Sequence, residues 1–258
     1  VETYYRLIIP KIMPNYHKIL YLDCDMVADQ DVAELYDMDL QGAVIGAAKD
    51  IDVAGQINLN QNDWKKYATE ILKLDSPYDY FQAGVLVLDL DGLRKSKTPE
   101  EMIQMASTYS YRCHDQDILN IVCKNKVTYL PQQWNVLMNW QEIGRSRMDI
   151  LKMAPRQIYE EYVAARKCPY LIHFAGYQKP WDVMDCDFAE YFWKYAKLSL
   201  YFPMLLRKTK RCLMEERENE SLRIAGMREN AKLRKVANKI FPIGSRRREL
   251  IKLLRKKS

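Results

Sequence analysis

No stretch of this 258-residue chain approaches 18 uninterrupted apolar residues, so the sequence holds no candidate bilayer-spanning helix. No signal-peptide pattern and no Met open it. Val1-Glu2-Thr3-Tyr4-Tyr5-Arg6 reads as the inside of a helix, and the expectation is a sequence that starts part-way into a domain. The six cysteines, Cys24, Cys113, Cys123, Cys168, Cys186 and Cys212, contain no CxxC pair and are spread through apolar surroundings. That pattern argues against a zinc site or a disulfide framework, and for free thiols in a reducing compartment. There is no internal repeat and no low-complexity tract.

What is present suits a folded protein. A hydrophobic fraction of 48% with 11% aromatics is enough to bury a sizeable core, which excludes global disorder. The net charge of +6 is unevenly placed. From Arg207 to Ser258 there are 18 Lys/Arg against 6 Asp/Glu, whereas Val1 to Leu206 carries 22 against 28. A basic tail on an acidic body points to an acidic partner surface. With no recognition motif beside the charge, nucleic acid is not expected, and anionic lipid is the preferred partner.

Periodicity gives the organisation. Thr3 to Met13 has helical spacing and Pro14-Asn15 ends it. Short apolar runs predict strands over Lys18–Leu22, Val44–Ala48, Phe81–Asp89, Val127–Leu130 and Tyr170–Phe174. Helical patterns fall over Pro99–Tyr109, Asp115–Cys123, Pro155–Ala165 and Asp187–Phe202. Strands alternating with helices read as an α/β fold with a mostly parallel or mixed sheet. Beyond Pro203 the pattern becomes a Lys/Arg-rich helix. Phe241-Pro242-Ile243-Gly244 interrupts it, and Ser245–Arg255 resumes as a basic amphipathic segment. Together with Tyr191, Phe192, Trp193 and Tyr195, this tail suits either a helix lying on anionic lipid or a plain solvated helical face. The expected division is therefore a catalytic domain over 1–202 and a basic helical tail over 203–258.

Four constellations carry chemistry. Asp23-Cys24-Asp25 follows a buried strand, where α/β sheets bind ligands, and two carboxylates suffice for a cation that also holds phosphate oxygens. An isolated D-x-D is also a common solvated turn. His173 ends another strand, with Gly176 and Lys179 just beyond it. The imidazole can complete a carboxylate site, Gly176 permits close backbone approach and Lys179 can neutralise phosphate. A lone histidine of this kind is otherwise a hydrogen-bonded core residue. Asp115-Gln116-Asp117 opens a helix, where Asp115 either caps or faces a ligand. Gln82-Ala83-Gly84 places an amide and two small residues at a strand entrance.

In this order, Tyr4-Tyr5-Arg6-Leu7, Leu20-Tyr21-Leu22-Asp23-Cys24-Asp25, Phe81-Gln82-Ala83-Gly84-Val85, Asp115-Gln116-Asp117-Ile118-Leu119-Asn120 and His173-Phe174-Ala175-Gly176-Tyr177-Gln178-Lys179-Pro180-Trp181 resemble glycosyltransferase family 8. That family includes bacterial lipopolysaccharide galactosyl- and glucosyltransferases and glycogenin. The resemblance covers about Val1 to Trp181. It implies a GT-A fold, a Rossmann-like mixed sheet flanked by helices, and a retaining transferase that uses a UDP-hexose and Mn2+, with Mg2+ as the alternative. It implies Asp23, Asp25 and His173 as metal ligands. Arg6, Asp23, Gln82, Ala83, Gly176 and Lys179 fall at donor-binding positions, and Asp115 and Gln116 at the reacting sugar. The family usually has Asn where this chain has Gln82. It also has a first βα portion, supplying much of the nucleotide pocket, that has no counterpart before Val1.

The expected acceptor is a saccharide or a lipid-linked sugar. The expected location is cytoplasmic, peripheral on the inner face of the membrane. Two other readings stay open: a non-catalytic UDP-sugar-binding or membrane scaffold, and a D-x-D phosphatase-like hydrolase with Asp23 as nucleophile. Acceptor contacts are expected in loops 50–76 and 134–146. Trp64, Trp134 and Trp140 are available there as sugar platforms, or as core.

Overall fold

The computed structural model describes residues 2–59, 63–142, 144–215, 217–218, 221 and 238–239. The interruption at 241–244 and the basic segment at 245–255 lie outside them. The chain forms two compact units, one of residues 1–180 and 184–199, the other of 181–183 and 200–258.

In the first unit nine strands are described: β1 Lys18–Leu22, β2 Met26–Ala28, β3 Ile45–Ala47, β4 Val85–Asp89, β5 Val127–Tyr129, β6 Val136–Leu137, β7 Gln141–Glu142, β8 Arg145–Ser146 and β9 Leu171–His173. They make a four-stranded sheet in the order β1-β4-β3-β5, a three-stranded sheet β2-β9-β6, and the hairpin β7-β8. Both larger sheets are mixed. β4 runs antiparallel to β1 and β3, while β3 and β5 are parallel. β9 is antiparallel to β2 and parallel to β6.

The apolar run of β4 puts it in the middle. Leu86 and Leu88 face a core with Leu7, Met102, Ile118 and Leu119, while Val85 and Val87 face a second with Leu35, Trp134 and Leu171. A strand covered on both faces needs no polar alternation. The strand is shorter than the predicted Phe81–Asp89. Phe81 makes only an isolated bridge to Lys49, because residues 82–84 leave the ladder to line the site described below.

The first helix also differs from its pattern. Glu2–Ile8 is a 3-10 helix, and only Ile9–Ile12 (α1) is α-helical. Pro10 sits in the first turn of α1; it cannot donate back to the carbonyl four residues earlier, so α-helical bonding starts anew there. Helices Pro99–Thr108 (α2), Asp115–Val122 (α3) and Arg156–Lys167 (α4) follow the sequence closely. The predicted helix Asp187–Phe202 does not form as one piece. Ala189–Ala196 (α5) ends in a turn, and a new helix runs over 202–215. Pro203 sits in its first turn, where a missing N–H costs nothing. Phe192 of α5 packs edge-on to Phe174, so part of the aromatic stripe assigned to lipid belongs to the core. Trp64, Trp134 and Trp140 are also core residues.

Candidate functional site

Asp23 and Asp25 occupy the crossing between β1, in one sheet, and β2, in the other. The backbone holds both. Asp23 N–H donates to the Gly84 carbonyl at 2.8 Å, and Phe174 N–H donates to the Asp25 carbonyl at 2.9 Å. His173, the last residue of β9, lies opposite Met26 in the ladder. This register places one ligand atom each of Asp23, Asp25 and His173 within 4.8 Å of one another. The imidazole is buried, while the two carboxylates remain 24% exposed on the open side. His173 Nε2 lies 3.3 Å from Asp25 Oδ1 and 3.8 Å from Asp23 Oδ2.

Lys179 Nζ donates to Asp25 Oδ2 at 2.5 Å and to the Phe174 carbonyl at 2.6 Å. Burial opposes ionisation of Asp25. When the His173 ring is doubly protonated, its hydrogen bond and charge, together with those of Lys179, outweigh it and hold the carboxyl well below the usual carboxylate range. Gly176 has φ +112, and a Cβ there would come within 3.5 Å of Arg147 and Trp140.

A second part of the site is built around the Ala83 peptide. Its N–H donates to Gln116 Oε1 at 2.8 Å, and its carbonyl accepts from Arg6 Nη1. Arg6 also donates through Nη2 to Asp23 Oδ1 at 2.9 Å. Its Nε stands 2.8 Å from Asp115 Oδ2, an ion-pair distance without hydrogen-bond alignment. Tyr21 lies under the guanidinium, and its hydroxyl donates to Asp23 Oδ1. Asp115 is not the helix cap. His114, at φ +52, holds that position, and Asp115 begins α3 with its side chain turned to Arg6. Burial raises the Asp115 pKa, and Arg6 works against that rise.

Gln116 Nε2 donates to Asp50 Oδ2 at 3.0 Å and to the Tyr80 hydroxyl at 3.1 Å. Tyr80 in turn donates to the buried Asp117, which also accepts from Tyr67 and from Cys113 N–H. Asp50 is buried, and desolvation, reinforced by the charge of Asp52, pushes its pKa up to about 6. Gln82 turns its oxygen inward to Gly84 N–H and to Asn135 Nδ2. Tyr21, Tyr80, Asp50 and Asn135 carry no site signal of their own in the sequence, although Asp50 and Asn135 fall within the loops expected to meet the acceptor. Each looks like ordinary core or loop until the fold brings it to the cluster.

The donor set, two carboxylates and one imidazole on one open face, fits a divalent cation of the Mn2+ or Mg2+ kind. The structural comparisons define the class. WbbM, a bifunctional glycosyltransferase solved in the apo state, superposes with a TM-score of 0.74 at 30% identity, covering 81% of this chain and 37% of that one. The galactosyltransferase LgtC, solved with donor and acceptor sugar analogues, gives 0.54 at 26% identity, covering 77% and 67%. The architecture is thus the GT-A fold of nucleotide-sugar transferases. The profile of Glycosyl transferase family 8 matches residues 1–185, and the chain belongs to that family. A lipopolysaccharide 1,2-glucosyltransferase of Escherichia coli K12 is 27% identical over 64% of this chain and 44% of its own length. The chain spans about half the length of the curated relatives it matches.

Proposed function

We propose that this chain carries the metal and sugar-transfer centre of a retaining hexosyltransferase. It would move glucose or galactose from a UDP-sugar to a saccharide or lipid-linked acceptor. The observation that carries the reading is the convergence of Asp23, Asp25 and His173 beside Lys179, on the same face as Arg6, Asp115 and Gln116. Asp23, Asp25 and His173 would hold Mn2+, or Mg2+, which when bound offsets charge on a departing diphosphate.

The remaining roles belong to side chains. Lys179 and the backbone at Gly176 would meet the diphosphate, Lys179 adding positive charge where negative charge develops. Arg6 orients Asp23 and Asp115 through its fork. Gln82 and Ala83 would line the donor sugar. The Gln116 carbonyl has one lone pair committed to Ala83 N–H, and its second would face the positive charge growing at the anomeric carbon, with Asp115 beside it. Among the described residues, the carboxylates near Gln116, Asp115 and Asp50, are both committed to partners, so attack by the acceptor hydroxyl on the leaving-group face is the favoured route. The phosphatase reading gives no role to His173 and Lys179, which converge on the Asp25 carboxylate.

The tail reading rests on the helix over 202–215. Met204, Leu206, Leu213 and Met214 are exposed on it, interspersed with exposed Arg207, Lys210 and Arg211. Exposed apolar and cationic side chains along one helix suit an anionic membrane surface. No helix of the described residues is long and apolar enough to cross a membrane.

The deciding experiment for the transferase reading is Asp25→Asn in the full-length protein. Mn2+ affinity should fall, and UDP-glucose or UDP-galactose hydrolysis should drop by about 100-fold or more, the scale of losing a main electrostatic stabiliser. Unchanged hydrolysis and unchanged Mn2+ binding would overturn the assignment.

A further inference from the structure

The imidazole of His173 has two ring nitrogens, and only an unprotonated one can bind a cation. Which nitrogen carries the proton is settled by a chain of hydrogen bonds that begins at a backbone group. Gly84 N–H can only donate. It lies 2.6 Å from Gln82 Oε1, so that atom is the oxygen of the Gln82 amide. The same oxygen lies 2.7 Å from Asn135 Nδ2, so Asn135 presents its NH2 to Gln82. Asn135 Oδ1 then faces His173 Nδ1 at 3.0 Å, and an oxygen acceptor there requires a proton on Nδ1. Both Asn135 and His173 are buried to within 2% of complete, so water does not offer either an alternative partner.

We propose that the Gly84 peptide, relayed through Gln82 and Asn135, fixes His173 with its proton on Nδ1 and its bare Nε2 toward Asp23 and Asp25. Gln82 and Asn135 are therefore positioning residues. The inference rests on the metal reading for its purpose, not for its logic. A bare Nε2 set 3.3 Å from a carboxylate oxygen places two acceptors face to face, which a shared cation satisfies. Gly84 belongs to the relay sterically as well. A Cβ at this position would lie 2.4 Å from His173 Cε1 and 2.9 Å from Gln82 Oε1.

The test reads the proton directly. 15N spectra of the metal-free protein, recorded at alkaline pH on the neutral ring, should show His173 protonated at Nδ1. In Gln82→Met the acceptor for Asn135 Nδ2 is gone, so the Asn135 amide is free to turn its NH2 to His173. The proton should then move to Nε2, although no partner of His173 has been mutated. Mn2+ affinity, measured by calorimetry, should weaken about 10- to 100-fold, the usual effect of an outer partner of a metal ligand. Gln82→Glu keeps an acceptor oxygen and should retain the Nδ1 proton, which controls for misfolding. A wild-type His173 protonated at Nε2, or a Gln82→Met protein with an unmoved proton, overturns the relay. Correct protonation with no Mn2+ binding leaves the relay standing and sinks the metal reading instead.

Discussion

Arg6 Nη2 donates to Asp23 Oδ1 at 2.9 Å, so the 3-10 helix Glu2–Ile8 is fastened to the D-x-D turn through one guanidinium. The same group stands against Asp115, and both side chains of that ion pair are over 90% buried. Arg6→Ala leaves a buried carboxylate without its cation and should cost about 3 kcal/mol of stability. Arg6→Lys keeps the charge but not the fork, and should recover only part of the loss. Urea denaturation checks this, and an Arg6→Ala midpoint equal to wild type would count against it.

Asp50 gives a pH signature. Its folded pKa, raised to about 6 by burial first and Asp52 second, lies above its ordinary value of 3.8. The folded state therefore holds a proton that the unfolded state releases, and stability falls as pH rises between about 4 and 6. Asp50→Asn retains an amide oxygen for the Val53 N–H that caps the following helix. It should remove that decline, at some cost in overall stability, because its Nδ2 would face the Gln116 Nε2 that now donates to Asp50 Oδ2. Parallel stability curves for the two proteins across pH 4–6 would refute the assignment.

Gly84→Ala should act on His173 rather than on the strand. The added carbon would sit 2.4 Å from the imidazole, against a backbone held by Asp23. Overpacking of this kind costs roughly 1–3 kcal/mol. Mn2+ affinity should fall with it, because the ring must move away from the carboxylates. Calorimetry and thermal unfolding on one sample separate the two effects.

For the helix over 202–215, reversing Arg207, Lys210 and Arg211 to Glu should abolish co-sedimentation with anionic vesicles. Each cation near such a surface contributes about 1 kcal/mol, so three reversals exceed a 100-fold change in partitioning. Met204→Ser with Met214→Ser should weaken binding while leaving its salt dependence intact. Equal partitioning of all variants would remove the membrane reading.

Much of this was legible in the sequence, and the reasons are local. The run at β4 reads as a buried strand because burial on both faces leaves no polar alternation. The Asp23, Asp25 and His173 positions stand out because they end apolar runs. The rest depends on pairings made far apart in the chain. Nothing near Asn135 signals that it will meet His173, since the contact arises only when β6 and β9 lie parallel. The 82–84 segment reads as strand from its neighbours, and leaves the ladder because its side chains and peptides are used by the site. Asp115 reads from the sequence as either a cap or a ligand-facing residue; in the fold His114 holds the cap position and Asp115 turns to Arg6.

β2 and β9 share three rungs, Met26↔His173, Val27↔Ile172 and Ala28↔Leu171. A slip of one rung would turn every side chain of the strand to the opposite face. His173 would leave Asp23 and Asp25 altogether. Cation capture is thus a gauge of strand register: a paramagnetic ion would broaden the resonances of molecules whose ladder closed in step and spare those that closed one rung out, which lets a single titration count misassembled chains in a preparation.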